Sequence, residues 1–310
     1  MPQFTLLAFS SAIEVLRMAN QLAGKELYRW RVYSKDGQSA QSSCGINAAV
    51  DGAAESIRDF DMVFVVGGIN INRYSDPHIH SVLRKIADRR VVLGALCTGS
   101  YVLARAELLS GYRCTIHWEN IAAIREEFPS LVVSQELFEF DRDRITCAGG
   151  IAPLDMMMHI VRQDWDERLA SSISEMFMAE RIRDKHDRQR VPLMQRIGTG
   201  QPKLAEAVSL MEANIEEPMT LDELSGHVNL SRRQLERLFK KYLNVVPTRY
   251  YLDLRLERAR QLLLQTSMPI VDIALACGFV SAPHFSKCYR DIYGVPPRDE
   301  RRRGQLDISR

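Results

Sequence analysis

The sequence predicts two domains of different class: an α/β N-terminal half built on a doubly wound parallel sheet, and an all-α C-terminal region made of two copies of one helical unit. Three observations predict this. Wholly apolar β-rich runs at residues 62–66 and 91–96 alternate with helical stretches through the first 165 residues, the pattern of strands buried on both faces. From Lys203 onward the hydrophobic periodicity is helical. That helical region also repeats itself with a period of 49 to 50 residues. A chain of 310 residues, 46% of them apolar, fills two cores of about 150 residues each.

Taken in order, residues 12–22 read as a helix, 30–34 as a strand, and 62–66 as a strand ending in Gly67-Gly68. Residues 91–96 form the next strand, followed by a helix over 98–108. A strand at 114–116, a helix over 119–128 and strands near 131–134, 138–140 and 144–147 follow, the last running through Gly149-Gly150 into a helix over 153–163. This is a flavodoxin-like order with one irregularity. Only a few residues precede the first helix, where a doubly wound sheet places a leading strand, so either the native start lies upstream or the sheet lacks a strand. Helix is expected to continue over 166–183, with Leu169, Ile173, Phe177 and Ile182 at near-helical spacing. That stripe either closes the sheet or pairs with a second copy, which leaves a homodimer open. A charge run at 184–190 and the breaker cluster at 198–202 then set an N-terminal domain at 1–182, a linker at 183–202 and a C-terminal domain at 203–303.

The repeat is the most specific signal. Leu221, Leu224 and Val228 match Ile270, Ile273 and Cys277 at an offset of 49. After a one-residue insertion, Ser231, Leu235, Phe239, Val245 and Pro247 match Ser281, Phe285, Tyr289, Val295 and Pro297 at an offset of 50. The punctuation repeats too. Asn229 pairs with Gly278 and Asn244 with Gly294, the residue types that best tolerate a left-handed stop. Thr220 with Glu223 and Ser231 with Gln234 are capping-box pairs, and Ser281 caps the matching second-copy helix, with Pro283 in its first turn. Helix, sharp turn and helix, twice over, describe two helix-turn-helix units.

Charge agrees with this reading. The chain carries a net +2, yet residues 231–260 hold nine Lys/Arg against three Asp/Glu. The first reading helix presents Ser231, Arg232, Arg233, Gln234, Arg237 and Lys240; Arg and Gln suit bidentate contacts to guanine and adenine edges, and Lys suits phosphates. The second presents Ser281, Ala282, His284, Lys287 and Arg290, over an inner face of Phe285 and Tyr289. Double-stranded DNA is the expected partner. The segment 220–297, with Ile270-Val-Asp-Ile-Ala-Leu-Ala-Cys-Gly-Phe279, Phe285-Ser-Lys287 and Tyr293-Gly-Val-Pro-Pro297, resembles the AraC/XylS DNA-binding domain. The resemblance implies a linking helix over about 248–265 that holds both units in adjacent major grooves, about 34 Å apart. It also implies a transcription regulator, an activator in expectation, with RNA polymerase as a further partner.

In the N-terminal half, Gly94-Ala-Leu-Cys97-Thr-Gly99 stands between an apolar strand and a helix, the setting of a nucleophile elbow. With Gly67-Gly68 and Ala148-Gly-Gly150 it resembles the class I glutamine amidotransferase-like fold of the PfpI group. PfpI-type enzymes carry His directly after the Cys, and this chain has Thr98. His159, amid Met156-Met-Met158, reads as a core or interface histidine, and His117 is the remaining candidate base. The expectation is therefore an enzyme fold retained as a ligand sensor, without catalysis or cofactor. A thiol hydrolase or amidotransferase using Cys97, fused to a DNA reader, is the alternative. The expected pocket comprises Glu14, Gly67, Gly68, Cys97, His117, Trp118 and Gly150 at the carboxyl ends of the strands. A carboxylate beside an indole suits a cation. The resemblance extends to AraC regulators with amidotransferase-like N-terminal domains that respond to arginine, glycine betaine or carnitine, so a small cationic or amino-acid-derived effector is implied.

Six scattered cysteines fit reduced thiols rather than a disulfide frame or a zinc site. No apolar run reaches about 18 residues, and a basic leader is missing ahead of residues 4–12, so a cytoplasmic protein is expected and a membrane partner is not.

Overall fold

The computed structural model describes residues 1–71, 74, 76–187, 189 and 201–306. They fall into two compact units, Met1–Gln189 and Arg190–Arg310. Most of the expected linker, including the glycines at 198 and 200, lies outside the described residues.

The first unit opens on α1 (Leu6–Ala23), six residues earlier than the periodicity indicated. Ala8, Ser11, Val15, Met18 and Ala19 are buried at helical spacing, so the stripe that orders the helix already starts at Ala8. Short strands follow: β1 (Tyr33–Ser34), β2 (Ala40–Gln41), β3 (Asn47–Ala48) and β4 (Gly52–Ala53). β1 pairs with β4 in parallel and β2 with β3 antiparallel. The central elements are β5 (Met62–Val66), α2 (Pro77–Ala87), β6 (Val92–Leu96), α3 (Ser100–Arg105), β7 (Arg113–Cys114), α4 (Ile121–Glu127) and β8 (Val132–Val133). β9 (Phe138–Asp141), β10 (Arg144–Cys147), α5 (Ala152–Asp164) and α6 (Glu167–Met176) complete the unit.

The main sheet has the order β5-β6-β10-β9, with Val66 opposite Leu96 and Leu96 opposite Cys147. Its first three strands are parallel, and β9 closes one edge antiparallel. Alternate strand residues serve two cores. Phe64, Val66, Leu96 and Cys147 pack with α1, α5 and α6. Val65 and Ala95 pack with α2, α3 and α4. This two-sided burial is why the strands read as unbroken apolar runs. Where a doubly wound sheet places its leading strand, the described residues hold only isolated bridges from Phe4 to Ser42 and Gly68.

One expectation is corrected here. The helix predicted over 166–183 stops at Met176, because the backbone turns left-handed at Met178 (φ 52°). Leu169, Ile173, Phe177 and Ile182 nevertheless all pack into the core beneath α1 and α5.

The second unit is helical: α7 (Pro202–Ala213), α8 (Leu221–His227), α9 (Arg232–Leu243), α10 (Pro247–Gln265), α11 (Ile270–Ala276), α12 (Ala282–Tyr293) and α13 (Pro297–Leu306). Leu204, Val208 and Met211 of α7 bury against Leu224, Leu235 and Phe239, which closes a core under the first helix pair. No described helix is long and apolar enough to cross a membrane.

Candidate nucleic-acid interface and ligand pocket

Both helix pairs end and begin as their punctuation requires. Thr220 and Ser231 form reciprocal capping boxes with Glu223 and Gln234, and the Ser281 hydroxyl accepts the His284 N–H. Asn229, Asn244, Gly278 and Gly294 are all left-handed, with φ between 52° and 75°. Gly278 has a second reason to be glycine. A Cβ there would stand 2.5 Å from Pro218 Cγ and 2.6 Å from the Ile215 carbonyl oxygen, so the second turn seats directly on the loop between α7 and α8.

The caps aim the amino ends of α9 and α12 outward. Leu235, Phe239, Phe285 and Tyr289 are buried, while Arg232, Arg233, Arg237, Lys240, His284, Lys287 and Arg290 are exposed. Arg233, Arg237, Lys240 and Lys241 line one shallow concavity with Glu236 and Val246. Arg233, Arg237 and Lys240 have no carboxylate partner among the described residues, whereas Arg232 leans on Glu236 at 3.4 Å and Asp222 at 3.9 Å. The Gln234 carbonyl accepts from the Ser231 N–H at 2.8 Å, so it is engaged in the cap before any base is met. Ala282 is half-buried at the first turn of α12, and His284 Nε2 lies 3.4 Å from Cys288 Sγ.

The linking helix α10 holds the second pair through a residue that sequence reading missed. Arg255 donates from Nε to the Cys277 carbonyl (2.8 Å) and from Nη2 to the Gly278 carbonyl (2.6 Å), with its guanidinium 4.1 Å from the Phe279 ring centroid. Both carbonyls belong to the helix end and turn of the second pair, so one half-buried cation fixes that turn.

In the first unit, the chain leaves β6 into Cys97 at φ 60°. The elbow is packed through glycines: a Cβ at Gly67 would fall 2.2 Å from the Gly99 nitrogen, and one at Gly149 would fall 2.9 Å from Cys97 Sγ. Gly68 is crossed as closely by the Gln3 carbonyl, whereas open space surrounds the Cβ position of Gly150. The Cys97 thiol is only 6% exposed and accepts from the Thr5 hydroxyl at 3.4 Å. Burial pushes its pKa up, and the Glu119 carboxylate adds to that effect. The elbow is thus formed, but its sulfur is held as a thiol.

His117 and Trp118 stand together beyond β7, with ring centroids 5.5 Å apart. His117 Nδ1 lies 3.7 Å from Glu119 Oε2, and burial lowers the imidazole pKa, which keeps the ring neutral at neutral pH. Glu14 belongs to α1. It lies nine residues into α1 and pairs with Arg17 at 2.7 Å, whereas the residue of that segment touching the thiol is Thr5. The carboxylate whose charge reaches Cys97 is Glu119. His159 packs on Phe138 (5.1 Å) and contacts Arg162 and the Arg183 carbonyl, a core histidine as expected.

After α6 the chain returns across this site as a strap. Buried Asp155 accepts from the Arg183 backbone N–H (2.8 Å), Nε (2.9 Å) and Nη2 (2.7 Å). Leu137 donates its N–H to the Lys185 carbonyl at 2.9 Å, and His186 Nδ1 lies 3.3 Å from Glu136 Oε2. Gln189 Nε2 then reaches Thr115 Oγ1 (3.0 Å), the Ile116 carbonyl (3.1 Å) and the Glu136 carbonyl (2.8 Å).

Known proteins match both units. The DJ-1/PfpI family matches residues 4–163, and a helix-turn-helix domain family matches residues 224–303. The HTH-type transcriptional regulator GbdR of Pseudomonas aeruginosa is 55% identical over 298 residues, 96% of this chain and 81% of that protein. CdhR of the same species, also an HTH-type transcriptional regulator, is 43% identical over 97% of this chain and 89% of its own length. Among solved structures, an AraC family transcriptional regulator from Pseudomonas putida is 28% identical over 57% of this chain and 95% of that chain, with a TM-score of 0.53. The chain is a DNA-binding transcription regulator and belongs to the AraC-type regulators that carry a DJ-1/PfpI domain ahead of the helix-turn-helix domain.

Proposed function

We propose that this regulator is gated by a small cationic, amino-acid-derived effector bound without catalysis in the first domain (1–182), and that occupancy is relayed to the DNA-binding domain (203–303) through the strap. The observation that carries the reading is that Gln189 of the strap bonds the Ile116 carbonyl, next to His117 and Trp118. A ligand that moves this wall disturbs the hold on Gln189, which precedes the DNA-binding domain in the chain. Trp118 brings an indole, Glu119 a carboxylate and His117 a neutral ring, a set suited to a cation; Gly67, Gly68, Cys97 and Gly150 are the remaining residues of the proposed pocket. A protonated thiol bonded to Thr5 and a neutral His117 beside Glu119 favour sensing over a thiolate mechanism. With this domain as its switch, the protein acts as an activator that recruits RNA polymerase.

The test is melting of the full chain against betaine, carnitine and arginine. A true effector at a hundredfold excess over its Kd adds about 2.7 kcal/mol of stability. The expected result is a shift by one compound, lost in Trp118→Ala and in Glu119→Gln. Gln189→Ala should keep the shift but lose effector-dependent transcription from a reporter. If no cation in the panel shifts the melt, the ligand class is wrong; if Gln189→Ala leaves induction intact, the relay is wrong.

A further inference from the structure

The two helix pairs differ by one inserted residue, and the structure identifies it. Leu230 donates its N–H to the Ser225 carbonyl, and Phe279 donates to the Ala274 carbonyl in the same five-residue closure. Phe279 therefore stands where Leu230 stands. In the first pair Ser231 follows at once as the cap of α9; in the second, Val280 intervenes before Ser281 caps α12.

Phe279 takes the inward place, 2% exposed and 5.1 Å from Phe285, as Leu230 packs into the first core. Val280 is left outside, 93% exposed, higher than any other large apolar side chain among the described residues. It is not displayed on a loose loop. Phe279 on one side is clamped under Arg255, and Ser281 on the other is fixed by its cap to His284. A β-branched side chain is itself stiff. The insertion thus presents a stiff isopropyl group at the entrance of a reading helix, two residues ahead of half-buried Ala282.

The amino end of a reading helix is the part that meets base edges, and the apolar feature of the major groove is the thymine C5-methyl. We propose that Val280 reads the C5-methyl group of a thymine in the half-site of the second helix pair. The first pair, led by Arg232 and Arg233, has no counterpart of this residue. The two halves of the domain therefore read by different chemistry, hydrogen-bond donors in one and an apolar contact in the other. This rests on DNA binding alone and is independent of the effector.

The experiment uses the full chain and a duplex site selected from a random pool. Each thymine is replaced in turn by deoxyuridine, which removes the methyl and nothing else. In the wild type, one replacement should weaken binding about fourfold, the value of burying one methyl-sized group. Val280→Ser should bind the thymine site about fourfold more weakly than wild type and show no further loss with deoxyuridine at that position. Because Val280 is solvent-exposed, its melting point should equal that of wild type, which separates a reading defect from misfolding. If no thymine-to-deoxyuridine change affects the wild type, or if Val280→Ser loses as much as wild type at every such change, the proposal is overturned.

Discussion

Removing the Asp155 carboxylate should loosen the first unit and little else. The side chain is 5% exposed and takes three hydrogen bonds from Arg183, whose own side chain is 28% exposed. Breaking a fully buried ion pair by deleting one partner costs about 3–5 kcal/mol. Here the stranded guanidinium can recover some water, which brings Asp155→Ala to about 2–3 kcal/mol. For a unit of this size each kcal/mol shifts the melting point by roughly 2–4 °C, so a loss of about 5–10 °C is expected. Asp155→Asn keeps an acceptor for the Arg183 N–H but removes the charge, and should lose about half as much. The assay is specific by accident of composition. All three tryptophans, Trp30, Trp118 and Trp165, lie in the first unit, so the fluorescence melt of the full chain reports that unit alone. The double variant Asp155→Ala/Arg183→Ala should melt close to the single. A single variant within about 2 °C of wild type would refute the assignment of the strap to this pair.

Three further outcomes are expected. Arg255→Ala should destabilise the second unit by about 2–3 kcal/mol in a urea titration followed by far-ultraviolet circular dichroism, and Arg255→Lys should not restore it, since an ammonium cannot fork to two carbonyls and stack on Phe279; full rescue by Lys would show that charge alone suffices. Gly149→Ala, at φ 91° and pressed against Cys97, should lose at least about 2 kcal/mol by tryptophan fluorescence, and Gly150→Ala, in open space, about 1 kcal/mol from backbone strain; equal losses would contradict the close packing at the elbow. Iodoacetamide mapping near pH 8 should modify exposed Cys44 before Cys97, because Ser42 lowers the Cys44 pKa and favours its thiolate, whereas burial raises that of Cys97; Cys97 labelling first would mean an activated nucleophile.

The helical repeat was legible because its information is local. Caps, left-handed stops and apolar stripes each act within a turn or two, and Thr220, Ser231, Asn244 and Gly294 can be read one by one. The buried strands were legible for the same reason. That Thr5 meets the thiol while Glu14 pairs with Arg17 was not legible, because nothing local reveals which end of a helix abuts the elbow; that follows from where α1 starts, and its first turn has neither a capping bond nor an acidic residue to mark it. Glu119, Arg255, Asp155 with Arg183, and Gln189 were missed because each works on a partner at least 22 residues away along the chain, and no spacing encodes such a meeting. Val280 shows in the sequence only as the one-residue insertion between the two copies; its exposure beside a capped helix start is set by the fold.

The contact of Gly278 with Pro218 carries a consequence for the DNA. With the second turn seated on the loop that leads into the first pair, and Arg255 locking that turn to α10, the domain behaves as a calliper with fixed jaws. A calliper cannot adjust to an object of the wrong width, so the duplex must make up any mismatch in twist or bend. The steps between the two half-sites, which no side chain need touch, would then be selected for how easily they deform, and pyrimidine–purine steps are the softest. Inserting one base pair there should be more damaging than changing its identity.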